Sequence, residues 1–581
     1  MIYARISHID LLTPMGDTLE IFFRELVKGK SAIAPNNRFD CSAFRSQMAA
    51  LVPGISPGDR RSSAGDGTSS ADNKTSLAQM FEKLITRNAQ LIPEDTRLIF
   101  AATVGEIDRL EKALLNCDSS GTGASTLLKT ASWLGDALGL KKPPYVVSAA
   151  CASASAAVER AKFLIQSGKE KDVLVASADC VSEFVFSGFS ALMAIDKEGA
   201  RPFDRDRSGL TPGEAAGIIL LTADDVPSEE HFYVAGAASS SDANHMTGPS
   251  RDGSGLARAV ENALRDAGLQ PGEIDFIAGH GTGTRYNDGM ELKAYKKIFS
   301  NPSPLFSIKG AVGHTMGNAG LLQLAVSVQA MKTGTTPPST GISNLDKEAV
   351  GWVHSVALNK PSSNALVANA GFGGINSALI VARGRMCHEN LAKTADYGEY
   401  PIKIRSEIQF ICSHENEKML EEYQSLRVEE SILKSVKNFK KFDTYGKNLF
   451  LAAFKLITKT KGQKWEPSKT AILVVDRDGA LDANTHYFNH YLENGRSMGS
   501  PNKFIYTLPT SICAEIGICF GISGALLYMS STESDLYSFA LNQAEDIVHT
   551  GHHDHIYLFV HDNDSIKAAF ITLHPGAENE S

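Results

Sequence analysis

A layered α/β fold follows from three features of the sequence. Short apolar runs recur at residues 97–102, 145–148, 173–176, 217–222, 232–236, 275–278, 366–368 and 378–382. Segments with helical spacing lie between them, the clearest being the small-residue stretch 151–165. Gly-rich motifs stand directly at the ends of several runs. Buried strands alternating with helices stack as α/β layers, and the loops at strand ends then carry the chemistry.

In chain order, residues 1–14 read as a first strand: they hold one early Arg and an apolar stretch but no small-residue cleavage site, so no signal peptide is assigned. Residues 53–74, dense in Gly, Ser, Asp and Pro, read as a long exposed loop. The strand series then runs to residue 382, and the polar stretch 384–400 marks a domain boundary. Beyond it, residues 470–475 and 525–530 read as strands, with a helix carrying Cys513 and Cys519 between them. The division is a domain over 1–385, with halves at about 1–222 and 223–385, a linker at 386–402 and a C-terminal unit at 403–578.

A chain of 581 residues with 43% hydrophobic and 21% charged residues can bury sizeable cores, which excludes general disorder. Lys and Arg number 57 against 66 Asp and Glu, so the net charge of -9 argues against a nucleic-acid binder. Eight cysteines without a C-x-x-C pair are too sparse for a disulfide scaffold and point to a reducing, cytoplasmic setting. The most apolar late stretch, 512–529, contains Glu515 and glycines, so no membrane segment is expected.

Four motifs carry chemistry. In Ser148-Ala149-Ala150-Cys151-Ala152-Ser153 a strand ends and a small-residue helix begins at the cysteine. A helix N-terminus offers unpaired N–H groups and a partial positive charge, both of which favour thiolate, the nucleophilic form. The same segment also reads as a core cysteine in a packed helix. Gly279-His280-Gly281-Thr282-Gly283-Thr284 places a histidine at a strand end with hydroxyls suited to an amide-rich arm, or forms a plain Gly-rich turn. It lacks a Walker lysine and does not fit a nucleotide loop. Lys309 stands five residues before His314, ahead of another small-residue helix. Gly371-Phe372-Gly373-Gly374 is a tight turn after a strand, whose N–H groups could face an oxyanion.

Together these motifs resemble the β-ketoacyl-acyl carrier protein synthases, the elongating condensing enzymes of the thiolase fold, over about residues 1–383. Arg201-Pro202-Phe203-Asp204, Gly213-Glu214, residues 241–247, Asn287-Asp288 and Glu291 match further. The resemblance implies an αβαβα fold of two similar halves. It also implies that Cys151 accepts an acyl chain, that His280 and His314 bind the malonyl thioester carbonyl and stabilise the enolate left by decarboxylation, and that Lys309 supports them electrostatically. The N–H groups of Cys151 and Phe372 would form a second oxyanion hole, Phe372 would gate acyl entry, and Thr282 and Thr284 would contact a phosphopantetheine arm. No bound cofactor or metal is implied, since the substrate rides on acyl carrier protein. The implied assembly is a homodimer, with room for a second ketosynthase-like subunit. The implied reaction is decarboxylative Claisen condensation in fatty acid, polyketide or polyene biosynthesis. The alternative is a non-catalytic, chain-length-factor-like or scaffolding partner of another ketosynthase. Departures from the family pattern are Ala370 in place of Phe, Gln323 in place of Glu and Asn318 in place of Ala.

The C-terminal unit resembles the N-terminal half again. Shifting by 382 residues aligns Gly135, Gly139 and Ser148 with Gly517, Gly521 and Ser530, and sets Glu533 opposite Cys151. A truncated, non-catalytic half-domain is expected. The cluster His549, His552, His553, Asp554 and His555, with His561 nearby, lacks the i, i+4 spacing of a zinc site and reads as a solvated turn before a strand.

Overall fold

The computed structural model describes residues 2–56, 74–117, 126–384, 402–414, 416–429, 438–460, 462–496 and 499–573. The expected loop at 53–74 and the linker at 386–402 therefore lie almost wholly outside the described residues.

Three five-stranded sets share one strand order. The first comprises β1 (Tyr3–Leu12), β2 (Arg97–Ala101), β3 (Tyr145–Ser148), β4 (Asp172–Asp179) and β5 (Ala215–Asp224), laid side by side as β1-β5-β4-β2-β3. The second comprises β6 (Phe232–Ser241), β7 (Phe276–Ala278), β8 (Leu305–Phe306), β9 (Asn364–Gly371) and β10 (Ile375–Arg383), in the order β6-β10-β9-β7-β8. The third comprises β11 (Ile402–Ile411), β12 (Thr470–Val475), β13 (Leu526–Ser531), β14 (His555–Asp562) and β15 (Ser565–Leu573), in the order β11-β15-β14-β12-β13. In each set two antiparallel pairs at one end give way to two parallel pairs at the other.

The inner strands carry Val, Ile, Leu and Ala with no exposed position, as in Val146, Val147, Leu473 and Val474. Such runs need cover on both faces. Helix α1 (Ser76–Asn88) covers β1 and β5 on one side. Helix α2 (Ser153–Gln166) is almost entirely buried because it lies between the first and second sets, touching strands of both. Its small residues, Ser153, Ala154, Ser155, Ala156 and Ala157, permit that close approach. Helix α3 (Ser254–Ala267) covers the outer face of the second set, and α4 (Ala319–Thr333) joins α2 in the middle layer. The result is the expected αβαβα stack.

The third set docks edge to edge on the first. Strand β13 runs antiparallel to β3, with Val147 opposite Met529, Val146 opposite Ser530 and Ser148 opposite Tyr528. Met529 is the counterpart of Val147 under the 382-residue shift (529 − 147 = 382), so the pairing is centred on an internal two-fold. The shift also carries α2 onto α5 (Leu536–His549), and the two helices meet across the two-fold. There Arg160 donates to Asp546 at 2.7 Å, and both side chains are about 3% exposed. A two-fold is thus built within one chain, and the β3 edge is already paired.

One reading is corrected. The turn holding His552 and His553 is not solvated: the two residues are 6% and 2% exposed. His552 Nε2 donates to the Ala237 carbonyl of β6 at 2.9 Å, and His553 Nε2 accepts the Ala525 N–H at 2.9 Å. The turn is packed against the rest of the chain because the third set uses it to seat on β6. Among the described residues no helix is long and apolar enough to cross a membrane.

Candidate active site

The end of β3 turns sharply into α2. Ala150 adopts a left-handed φ of 51°, and Ser153 locks the turn, its Oγ accepting the Ala149 N–H at 2.9 Å and donating to the Ala150 carbonyl at 2.6 Å. Cys151 stands at the tip of this turn, two residues before the helix begins at Ser153. The sequence-based expectation of a favoured thiolate is overturned. Burial pushes the Cys151 thiol up to about 12, against the pull of Lys309 and of the Phe372 and Cys151 N–H groups. The resting Cys151 thiol is neutral and within reach of two backbone donors.

His280 follows β7, and its main chain is fixed by a buried carboxylate. Glu291 accepts the His280 N–H at 2.5 Å, the Gly281 N–H at 2.8 Å and the Tyr295 hydroxyl at 2.7 Å. Asp288 holds the next stretch, accepting the Thr282 N–H at 3.0 Å and the Phe203 N–H at 2.8 Å, with Arg207 Nε 3.3 Å away. The Thr282 and Thr284 hydroxyls meet at 2.9 Å.

The partners of the two imidazoles settle their tautomers. His314 Nδ1 accepts the Met316 N–H at 3.2 Å, so its proton sits on Nε2. His280 Nδ1 faces Lys309 Nζ at 3.4 Å and Asn369 Nδ2 at 3.5 Å, both donors, so its proton also sits on Nε2. Lys309 additionally donates to the His280 carbonyl. The rings stand edge to face with centroids 5.3 Å apart. Burial, reinforced by the Lys309 charge, holds both histidines well below their usual range, so both are neutral donors. Burial lowers Lys309 as well, opposed by the charge of Glu291.

Cys151, His280, His314, Thr282, Thr284 and Phe372 all line one cleft of about 570 Å³. Lys309, 1% exposed, lies behind His280 and does not line it. Beneath Cys151 the cleft continues into a narrow apolar chamber of about 30 Å³, walled by Val104, Phe184, Phe189, Met316 and Phe372 and floored by Phe504 and Leu508 of the C-terminal unit. That volume is close to the space of one water molecule, so an acyl chain enters only if these rings move. Phe504 occupies the space that any side chain at Gly188 would need: a Cβ there would lie 2.0 Å from the ring. Phe189 stands between Phe372 and Phe504, 6.0 Å from the one and 5.6 Å from the other.

Gln323 fills the position of the expected Glu with a neutral network. Its Nε2 donates to the Ala278 and Gly279 carbonyls at 2.9 and 2.6 Å, while its Oε1 accepts Asn369 Nδ2 at 2.6 Å. Asn369 Oδ1 accepts the Ser155 hydroxyl at 2.7 Å. Gln323 stands out in the sequence only as a departure from the family pattern, and Asn369, Phe189 and Phe504 carry no sequence signal of these roles. Ala370 lines the cleft, leaving room where a Phe would stand. Asn318 is fully buried with neither amide atom hydrogen-bonded, and nothing in the structure explains it. Among the described residues no cluster of His, Cys, Asp and Glu could hold a metal ion.

A thiol, two imidazole N–H donors and a pair of backbone N–H groups around one cleft can hold an acyl group while stabilising negative charge on a second carbonyl. Comparison with known proteins agrees with that chemistry. Residues 93–226 match the β-ketoacyl synthase N-terminal domain, and residues 231–343 match its C-terminal domain. A putative polyketide β-ketoacyl synthase 1 from Streptomyces virginiae is 30% identical over 416 residues, 65% of this chain and 96% of that protein. The 3-oxoacyl-[acyl-carrier-protein] synthase 2 of Vibrio cholerae is 28% identical over 406 residues, 65% of this chain and 98% of that one. The solved ketosynthase–chain length factor protein PfaC, only 16% identical, shares the fold over 100% of this chain and 79% of its own, with a TM-score of 0.73. The chain belongs to the β-ketoacyl-acyl carrier protein synthases of the thiolase superfamily.

Proposed function

We propose that the chain catalyses decarboxylative Claisen condensation of a Cys151-bound acyl chain with malonyl-acyl carrier protein in fatty acid, polyketide or polyene biosynthesis. The observation that carries this reading is the convergence of Cys151, His280 and His314 on one cleft with Thr282 and Thr284 in its wall. In the first step the Cys151 sulfur attacks the acyl thioester. The thioester C–S bond breaks, and the thiol proton leaves with the carrier arm. In the second step malonyl-carrier protein loses CO2, and the Nε2–H groups of His280 and His314 stabilise the resulting enolate oxygen. Preorganised donors of this kind are worth about 3–4 kcal/mol each. The enolate carbon then attacks the acyl carbonyl, whose oxyanion faces the Cys151 and Phe372 N–H groups. The Cys151–acyl bond breaks, and the sulfur regains a proton.

The partner in this reading is acyl carrier protein, whose phosphopantetheine arm passes Thr282 and Thr284. The chain itself binds no cofactor, and a reducing cytoplasm suits a reaction that runs on a free thiol. Residues 403–578 act as a non-catalytic half that floors the acyl chamber with Phe504 and Leu508. One chain is the functional unit, because the half that pairs with β3 is its own. Light scattering should return the mass of one chain, and a mass of two would restore the homodimer.

Intact-mass spectrometry after incubation with a panel of acyl carrier proteins tests the chemistry. An acyl adduct should form on Cys151 and vanish in Cys151→Ala. Absence of an adduct from every carrier, with the thiol still alkylated by iodoacetamide, would favour the non-catalytic partner instead.

A further inference from the structure

We propose that Asp179 is a positioning residue for this reaction, tying the turn that carries His314 to the wall of the acyl chamber and shaping the charge around Cys151. The inference rests on the ketosynthase reading. Asp179 closes strand β4, is 0% exposed and lines neither the cleft nor the chamber. Its carboxylate is held by N–H and O–H donors instead of a cation. It accepts the Thr103 N–H at 3.1 Å, the Thr103 hydroxyl at 2.8 Å, the Val104 N–H at 3.4 Å and the Gly317 N–H at 2.8 Å. A buried carboxylate without a cation is costly, but every neighbour of Asp179 is a donor and both oxygens accept, whereas an amide would set its NH2 group against one of those donors.

The donors come from two places that matter for the chemistry. Thr103 and Val104 wall the chamber beside Cys151. Gly317 ends the turn His314-Thr315-Met316-Gly317. In that turn Met316, strained at a φ of 51°, gives its N–H to His314 Nδ1 and its side chain to the chamber. Asp179 thus anchors the residue next to the donor that sets the His314 tautomer. Gly317 is matched to this contact: a Cβ there would lie 2.8 Å from Asp179 Oδ2 and 3.1 Å from Thr103 N. The charge of Asp179 also opposes ionisation of Cys151, while Lys309 and the Phe372 and Cys151 N–H groups favour it. The imidazoles of His280 and His314 face the same cleft as neutral groups.

Two full-length variants separate the roles. Asp179→Asn removes the charge and weakens the tie. The pH midpoint of Cys151 alkylation by iodoacetamide should fall by about one unit. The kcat of malonyl-carrier protein decarboxylation should fall about ten- to a hundredfold with KM unchanged. Gly317→Ala keeps the charge but displaces the tie, so decarboxylation should fall while the alkylation midpoint stays. An unchanged midpoint and unchanged kcat in Asp179→Asn would overturn the proposal. So would loss of both readouts in Gly317→Ala, which would mark a general loss of structure, and Gly317→Ala alone decides if Asp179→Asn does not fold. A wild-type chain that never decarboxylates malonyl-carrier protein would refute the ketosynthase reading, yet the alkylation shift would still report on Asp179.

Discussion

Replacing Phe504 with alanine removes the ring that closes the chamber beneath Cys151. The ring is 7% exposed and packs on Phe184, Phe189 and Tyr487 with centroids 6.1, 5.6 and 5.4 Å away. Truncating a buried Phe costs about 3–5 kcal/mol. The space it leaves would join the chamber of about 30 Å³ and enlarge the void, so the loss should fall at the high end of that range. The gained room lies along the acyl path, and products on the carrier protein should lengthen. Phe450→Ala is the control, because Phe450 is fully buried in the C-terminal unit and does not line the chamber. It should cost similar stability and leave chain length alone. Denaturant unfolding gives the stability term, and mass spectrometry of carrier-bound products gives the length. Equal product distributions in Phe504→Ala and wild type, with stability lowered, would refute the idea that the C-terminal unit limits the chain.

Three further outcomes follow from the same geometry. Cys151→Ala should abolish acyl-enzyme formation yet retain slow release of CO2 from malonyl-carrier protein, because His280 and His314 remain. His314→Ala should lower decarboxylation by about 10²–10³ while Cys151 still acquires an acyl group; loss of both would place the histidine elsewhere in the scheme. Burial lowers His553 from its ordinary 6.5 to about 3. Above 6.5 both folded and unfolded chains hold it neutral. As pH falls through 6.5 the unfolded chain takes up a proton that the folded one refuses, and stability drops by about 1.4 kcal/mol per pH unit down to about 3. Thermal unfolding of His553→Gln should show a shallower acid slope than wild type over that window, and parallel slopes would contradict the assignment.

The inner strands were legible because their signal is local. The run at 145–148 coincides with β3, and 470–475 with β12, since strands covered on both faces need continuous apolar residues. The 382-residue shift was visible from three identities, and the pairing of Val147 with Met529 gives it a geometric meaning the sequence lacks. Burial was what the sequence concealed. A cysteine before a small-residue helix promises a stabilised thiolate, but desolvation outweighs the helix end at Cys151. Adjacent histidines in a polar turn suggest solvent, but the turn at His552 is covered by β6, hundreds of residues away in sequence. Asp179 left one faint mark, an acidic residue closing a strand whose middle is apolar. Phe504 left none, because a ring that floors a cavity under a distant thiol has no local pattern.

The internal two-fold is symmetric in backbone and asymmetric in chemistry, and that asymmetry explains what the third strand set can contribute. Glu533 occupies the counterpart of Cys151 (533 − 151 = 382), and a carboxylate cannot carry a thioester. In the first two sets the nucleophile and its histidines come from different halves, Cys151 after β3 and His280 after β7. Among the described residues the third set has no such companion half, so no imidazole pair faces Glu533. Its remaining effect on the reaction must pass through the surfaces it shares with the first two sets. Those surfaces include the β3–β13 ladder, the Arg160–Asp546 contact, the seat of His552 on β6 and the segment bearing Phe504 and Leu508. The first three hold the unit in place, and the last is where it meets the chamber. A third set retained only for edge protection would need the ladder alone, with no ring seated against Gly188 in the floor of that chamber.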